Sequence, residues 1–170
     1  MNLTDTTIEG LAASGPDPEL KEKLDLFGQF VGDWDILEDR FYNEDSSEKV
    51  LRGELHWRWI LDGRAVQDVW MFEDKATNKI TPGGTTVRFY DPQIEAWKST
   101  WISPIQGVVE TFIGRKLGQE IVLENKNKNG NPIKWIFSDI ERDSFIWRGE
   151  ESLDGGRTWI LKEKMIIKRR

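Results

Sequence analysis

The sequence predicts an all-β fold, an antiparallel up-and-down β-barrel of about ten strands with a short N-terminal helix closing one end. Three observations carry that expectation. From Trp34 onward, segments rich in β-branched and aromatic residues alternate with turn signals about every 8–12 residues. The connections between these segments are short, which forces sequential strands to run antiparallel, and a long twisted meander tends to close because closure removes its exposed edges. Finally, Leu61-Asp62-Gly63-Arg64 sets Asp-Gly between two runs rich in Trp, Ile and Val, a strong hairpin signal.

A chain of 170 residues is expected to form one domain, burying about 70% of its unfolded surface. Residues 1–17 are small and polar and read as a mobile leader, leaving 18–170 as a single barrel domain. The absence of Cys excludes thiol chemistry and disulfides, and one His, His56, argues against a zinc site built on imidazoles, so no metal or cofactor is expected. The net charge of −6 and pI near 5.0 lack the footprint of a nucleic-acid binder. No positively charged, apolar leader opens the chain and no run approaches the ~20 apolar residues of a membrane span, so a cytoplasmic location is expected. Nine Trp are the compositional excess. Such rings either fill a core or line a pocket.

Taken in order, Pro18 to Gln29 reads as the helix. Asp17 stands as its cap, Pro18 sits at an early position, and Leu20, Leu24 and Phe27 make one apolar stripe. Strands are expected at Asp33 to Tyr42, Lys49 to Leu61, Arg64 to Glu73, Thr85 to Asp91, Ala96 to Ser103, Val108 to Arg115, Gln119 to Asn125, Pro132 to Ile140, Ser144 to Leu153 and Thr158 to Lys168. Their turns fall at Asp62-Gly63, Pro82-Gly83-Gly84, Asp91-Pro92, Leu117-Gly118, Asn129-Gly130 and Asp154-Gly155-Gly156.

A two-residue turn at Asp62-Gly63 fixes the register of its hairpin. Trp59 then faces Val66, Trp57 faces Asp68, Leu55 faces Trp70 and Gly53 faces Phe72, an apolar face carrying a single carboxylate. The other face carries His56, Arg58, Gln67 and Glu54 and is expected outside. A slip of one residue would exchange the two sets. In the next hairpin Tyr90 faces Trp97, Arg88 faces Ser99 and Thr86 faces Trp101. The ligand-binding set expected from both hairpins is Trp57, Trp59, Asp68, Trp70, Arg88, Tyr90, Trp97 and Trp101. Asp68 and Arg88 are read either as an internal ion pair, as ligand-orienting groups or as acid-base groups. Glu110 and Glu151 are further carboxylates near aromatic residues, with nothing in the sequence to bring them together.

Gly32-Asp33-Trp34, placed after the helix and at the start of the first strand, resembles the opening signature of lipocalins and the wider calycin superfamily. The resemblance implies that the Trp packs across the closed end of a barrel plugged by the helix. Leu61-Asp62-Gly63-Arg64, Tyr90-Asp91 followed by Trp101, and Trp147 through Asp154-Gly155-Gly156 to Trp159 look like a bacterial family of calycin-like barrels, over about Phe30 to Arg170. That family brings a cavity and no settled reaction. Ser152-Leu153-Asp154-Gly155-Gly156-Arg157-Thr158-Trp159 also matches the Asp-box pattern. One copy in so short a chain reads as a structural hairpin, because a propeller needs several.

Three functions follow. The first is a binding module whose Trp-lined cavity takes a small hydrophobic or aromatic molecule. The second is a cofactor-independent cyclase or isomerase with Asp68 as acid or base and Tyr90 or Arg88 as its partner. The third is a barrel occluded by its own Trp side chains that acts through its surface or as a homodimer.

Overall fold

The computed structural model describes residues 11–43, 45 and 47–170. Among the described residues a short helix precedes a closed ten-stranded antiparallel barrel: α1 (Lys21–Gly28), β1 (Gly32–Tyr42), β2 (Glu48–Ile60), β3 (Ala65–Asp74), β4 (Lys79–Asp91), β5 (Ala96–Ser103), β6 (Val108–Leu117), β7 (Glu120–Lys126), β8 (Pro132–Ser138), β9 (Ser144–Glu151) and β10 (Ile160–Arg169). Each strand pairs with its sequence neighbour, and β1 pairs with β10 to close the ring. All-β class, up-and-down order and closure are those the turn spacing predicts. Of the expected leader, the first ten residues lie outside the described residues. Within the rest, the Ala13 N–H donates to the Trp59 carbonyl and the Asp17 N–H to the Gly63 carbonyl.

The helix begins later than expected. Asp17 does not cap it. Its carboxylate accepts the Glu19 N–H at 2.9 Å and pairs with Arg64 at 2.9 Å, which spends the side chain on a turn over residues 17–20. Leu24 and Phe27 bury the helical stripe completely. Gly28 is needed for space: a Cβ there would lie 2.6 Å from the Trp59 ring, so the helix can lie against β2 only if that position is bare.

The β2–β3 register runs Gly53 to Phe72, Leu55 to Trp70, Trp57 to Asp68 and Trp59 to Val66, with the apolar face inward. The turn is longer than the two residues expected. It spans residues 61–64, with positive φ at Leu61, Asp62 and Gly63. Adding one residue on each side leaves the parity unchanged, which is why the register holds.

Pro82-Gly83-Gly84 is not a turn. Strand β4 starts at Lys79, the turn lies at residues 75–78, and Gly83 is the extra residue of a bulge between Trp70 and Met71 of β3. The two glycines sit inside the barrel wall because large rings lie on them. A Cβ on Gly83 would run into the Trp70 ring and one on Gly84 into Trp101. Two further bulges interrupt the pleat at residues 36–39 of β1 and residues 161–163 of β10. The first changes the inward parity from Trp34 and Ile36 to Asp39 and Phe41.

Gly32-Asp33-Trp34 does what the calycin resemblance implies. Trp34 is buried, its indole N–H donates to the Phe30 carbonyl at 2.7 Å, and the Arg169 guanidinium carbon lies 3.9 Å from its ring centre. Arg169 also donates to the carbonyls of Val31 and Gln29, tying the last strand to the segment that leaves the helix. The Asp-box segment is a hairpin turn. Asp154 accepts the N–H groups of Arg157 and Thr158 and the hydroxyls of Ser152 and Thr158, and these bonds hold its carboxyl down at about 2. Trp159 lies under Lys134, whose ammonium is 4.1 Å from the ring centre.

Candidate functional site

Inward side chains fill the two ends of the barrel unequally. At the helix end, Phe27 and Phe30 from the plug meet Trp57, Trp97, Phe137 and Phe145 at centroid distances of 4.7–6.5 Å, a packed aromatic layer. Beyond it, toward the far end, the barrel keeps a cavity of about 290 Å³. Its walls are largely aromatic. Trp70, Trp101, Trp135 and Trp147 follow one another edge to face at 5.4–6.4 Å, and Phe112 stacks behind Trp135 at 4.1 Å. Gln106 and Val108, at the β5–β6 turn, also border the cavity.

Of the residues expected to bind ligand, Trp57, Asp68, Trp70, Arg88 and Trp101 border this cavity. Trp59, Tyr90 and Trp97 do not. They belong to the plugged end: Trp59 covers Gly28, Trp97 packs on Phe27 and Tyr90 on Trp97. Sequence reasoning treated the inward face as one cavity, whereas the helix consumes its lower half. Tyr90 is thereby kept away from Asp68's side of the cavity.

Asp68 and Arg88 form a closed ion pair on adjacent strands, both about 3% exposed. Burial pushes the Asp68 carboxyl up, while the guanidinium and the Thr86 hydroxyl pull it back. The guanidinium carbon lies 4.5 Å from the Trp57 ring centre and 5.3 Å from that of Phe27. Two donors at this level are left without a protein partner, the Arg88 Nε–H and the Trp57 indole N–H. Buried donors of this kind are costly unless something accepts from them.

The outer face holds the remaining candidates. His56 Nδ1 lies 2.7 Å from Asp33 and Nε2 2.9 Å from Glu54, within a surface network that includes Arg58 and Arg170. Gln67 donates to Thr85. Glu151 accepts from Asn127 and Asn131 and shapes a turn, whereas Glu110 borders the cavity with its carboxyl pushed up by burial.

Two carboxyls escaped the sequence reading. Glu163 of β10 borders the cavity, and Asp39 of β1, only 1% exposed, lies behind it on the inner side of the wall. Asp39 pairs with Met165 across the ladder, which makes Glu163 its diagonal neighbour on the inner face. Burial raises the Asp39 carboxyl to about 6, and Glu163 is driven well above its ordinary value by burial and by Asp39. The pair therefore shares protons. The Trp70 indole N–H is turned toward Asp39, but neither Asp39 oxygen closes a hydrogen bond with the protein. Bulges in β1 and β10 aim both carboxyls inward, and no residue pattern announces a bulge.

No protein-family model matches this chain, and no curated protein sequence matches it. Among solved structures, the S-type phycobiliprotein lyase CPES from Guillardia theta is similar, with a TM-score of 0.58 over 91% of this chain and 98% of that one at 13% identity. At that identity the likeness is one of fold alone, a closed antiparallel barrel. Among the described residues, no helix is long and apolar enough to cross a membrane.

Proposed function

We propose that this barrel is a small-molecule-binding protein whose Trp-lined cavity holds a largely apolar or aromatic ligand. The observation that carries the reading is the cavity itself, about 290 Å³ walled by Trp70, Trp101, Trp135 and Trp147, with two unpartnered donors, Arg88 Nε–H and Trp57 Nε1–H, at its floor. Its size is near the lower bound of ligand pockets, roughly 300 Å³. A flat ligand of one to three rings would exchange the water there for aromatic contact and offer an acceptor to the floor. An open volume speaks against a barrel occluded by its own side chains. The closed Asp68–Arg88 pair, with Tyr90 on the plugged side, speaks against the isomerase arrangement read from the sequence. The nearer relation to a bacterial family of calycin-like barrels, and a single domain over 18–170 behind the leader, belong to the same reading.

The test is a titration of intrinsic Trp fluorescence with a panel of naphthalene, indole and flavone derivatives. A bilin pigment joins the panel because the fold neighbour is named a phycobiliprotein lyase. The control is Val108→Trp, which fills the open half. Saturable quenching in the wild type, lost in the control at unchanged far-UV circular dichroism, is the expected result. No response from any compound, or an equal response in the filled variant, would overturn the reading.

A further inference from the structure

The cavity is electrically lopsided. Three carboxyl-bearing residues border it, Asp68, Glu110 and Glu163, against one guanidinium, that of Arg88, and that guanidinium is engaged by Asp68 at the floor. The half nearer the opening therefore holds Glu163 and Glu110, with Asp39 directly behind Glu163. The charged groups around Asp39 are Glu163 from β10, Lys49 from β2 and, across the cavity, Glu110 from β6. Lys49 pulls the Asp39 carboxyl down only weakly compared with burial, and its ammonium lies over the Phe41 ring at 5.9 Å from the centre.

Asp39 is the decisive residue. Its carboxyl is 1% exposed, with only the Glu163 carboxyl and the Trp70 indole N–H turned toward it and neither closing a hydrogen bond, and a carboxyl so placed is expensive to keep inside a barrel without a compensating positive charge. Two strands bulge to bring it and Glu163 to the inner face. The cavity that Glu163 borders is walled by indole and phenyl rings, among them Trp70, Trp101, Trp135 and Phe41. Carboxylates framed by aromatic faces are the chemistry that recognises an organic ammonium ion, through charge at one side and ring quadrupoles at the other.

We propose that the open half of the cavity is a site for an organic cation, a protonated amine on an apolar or aromatic body, whose ammonium group is held by the Asp39–Glu163 pair. This rests on the ligand-binding reading above and names its ligand class. The empty pair keeps a proton between its two carboxyls. An arriving ammonium supplies the compensating positive charge, so that proton leaves to solvent as both carboxyls ionise, and the site's net charge of −1 is the same before and after. Binding is thereby linked to pH: an amine binds more tightly as pH rises through the range in which the empty pair holds its proton, up to the pH at which the amine itself is neutral.

The experiment compares three matched probes by isothermal titration calorimetry: 2-(1-naphthyl)ethylamine, 2-(1-naphthyl)ethanol and 1-naphthylacetate. The expected order at pH 7 is ammonium over alcohol by about tenfold or more, with the carboxylate weakest. Glu163→Gln and Asp39→Asn should bring the ammonium down to the level of the alcohol while leaving the alcohol unchanged. Glu110→Gln, which is nearer solvent, provides a second reading should either buried variant fail to fold, and should lower the ammonium-to-alcohol ratio in the same direction. Enthalpies measured in phosphate and in Tris near pH 6 should differ by the protonation heat of a released proton. Equal affinity of ammonium and alcohol, or a preference for the carboxylate, would sink the cation site while leaving the ligand-binding reading standing. Binding of none of the three would remove both.

Discussion

The Arg88 guanidinium pairs with the Asp68 carboxylate while its flat face lies 4.5 Å from the Trp57 ring centre, so one side chain fixes the floor of the cavity and the roof of the plugged end. Each charge is tolerated inside the barrel because of the other. Removing either, as Asp68→Ala or Arg88→Ala, is expected to cost about 3–5 kcal/mol, since an unpaired charge stays buried. The double change Asp68→Leu with Arg88→Met should cost less than the two single losses combined. Urea denaturation of the four proteins checks this, and additive losses would show that the pair is not a unit.

Asp39 carries the opposite linkage from an ordinary surface carboxylate. Its folded carboxyl sits at about 6, above the usual value of 3.8, so the native state holds more protons than the unfolded one between those values. Stability from this group is present at low pH and lost as pH rises through about 6. Asp39→Asn removes that loss. Its stability relative to wild type should climb between about pH 4 and 7 by roughly 3 kcal/mol. Unfolding free energies at pH 4, 5.5 and 7 test the sign, and a difference that stays flat or falls contradicts it.

Gly83 lies under the Trp70 ring, where any side chain would displace an indole that borders the cavity. Gly83→Ala is expected to cost about 1–3 kcal/mol through overpacking. Near-UV circular dichroism should change along with stability, because the Trp70 ring must move. Gly118→Ala, at φ +62 with open space around it, is the control: it should lower stability modestly without altering the aromatic signal.

In the Asp-box turn, Asp154 gathers two backbone N–H groups and two hydroxyls, and its carboxyl is held down at about 2. A group of lowered folded value stabilises above its unfolded value and loses that contribution as pH falls toward about 2. Amide exchange at Arg157 and Thr158 should stay slow at pH 3 and become fast in Asp154→Ala at every pH. Unchanged protection in the variant would mean that the glycines alone hold the turn.

Much of this architecture was legible in the residues. Strand number, order and closure follow from turn spacing, and the inward set of β2 and β3 follows from the contrast between Trp-rich and charged faces. That contrast survived a turn two residues longer than expected because parity was conserved. What stayed hidden has two physical causes. Periodicity cannot see a bulge, so Asp39 and Glu163 were assigned no face, and Pro82-Gly83-Gly84 looked like a turn when it was a bared patch of wall for two indoles. Nor does an inward position say whether the space beyond it is empty. Trp59, Tyr90 and Trp97 point inward as expected, yet the helix had already taken the room in front of them.

The pairing of β1 with β10 also sets an order of events for the growing chain. Trp34 is covered by Arg169, and the backbone N–H of Arg170 reaches the carbonyl of Asp33, so the first strand waits for almost the whole of the chain before its second edge is satisfied. At ribosomal speed that wait is on the order of 10 s. During it, a strand bearing an exposed indole and a row of free amides is open to any other unfinished strand nearby. The nascent protein should therefore lean on a holding chaperone until β10 emerges, and its folding in isolation should be limited by this one long-range seam.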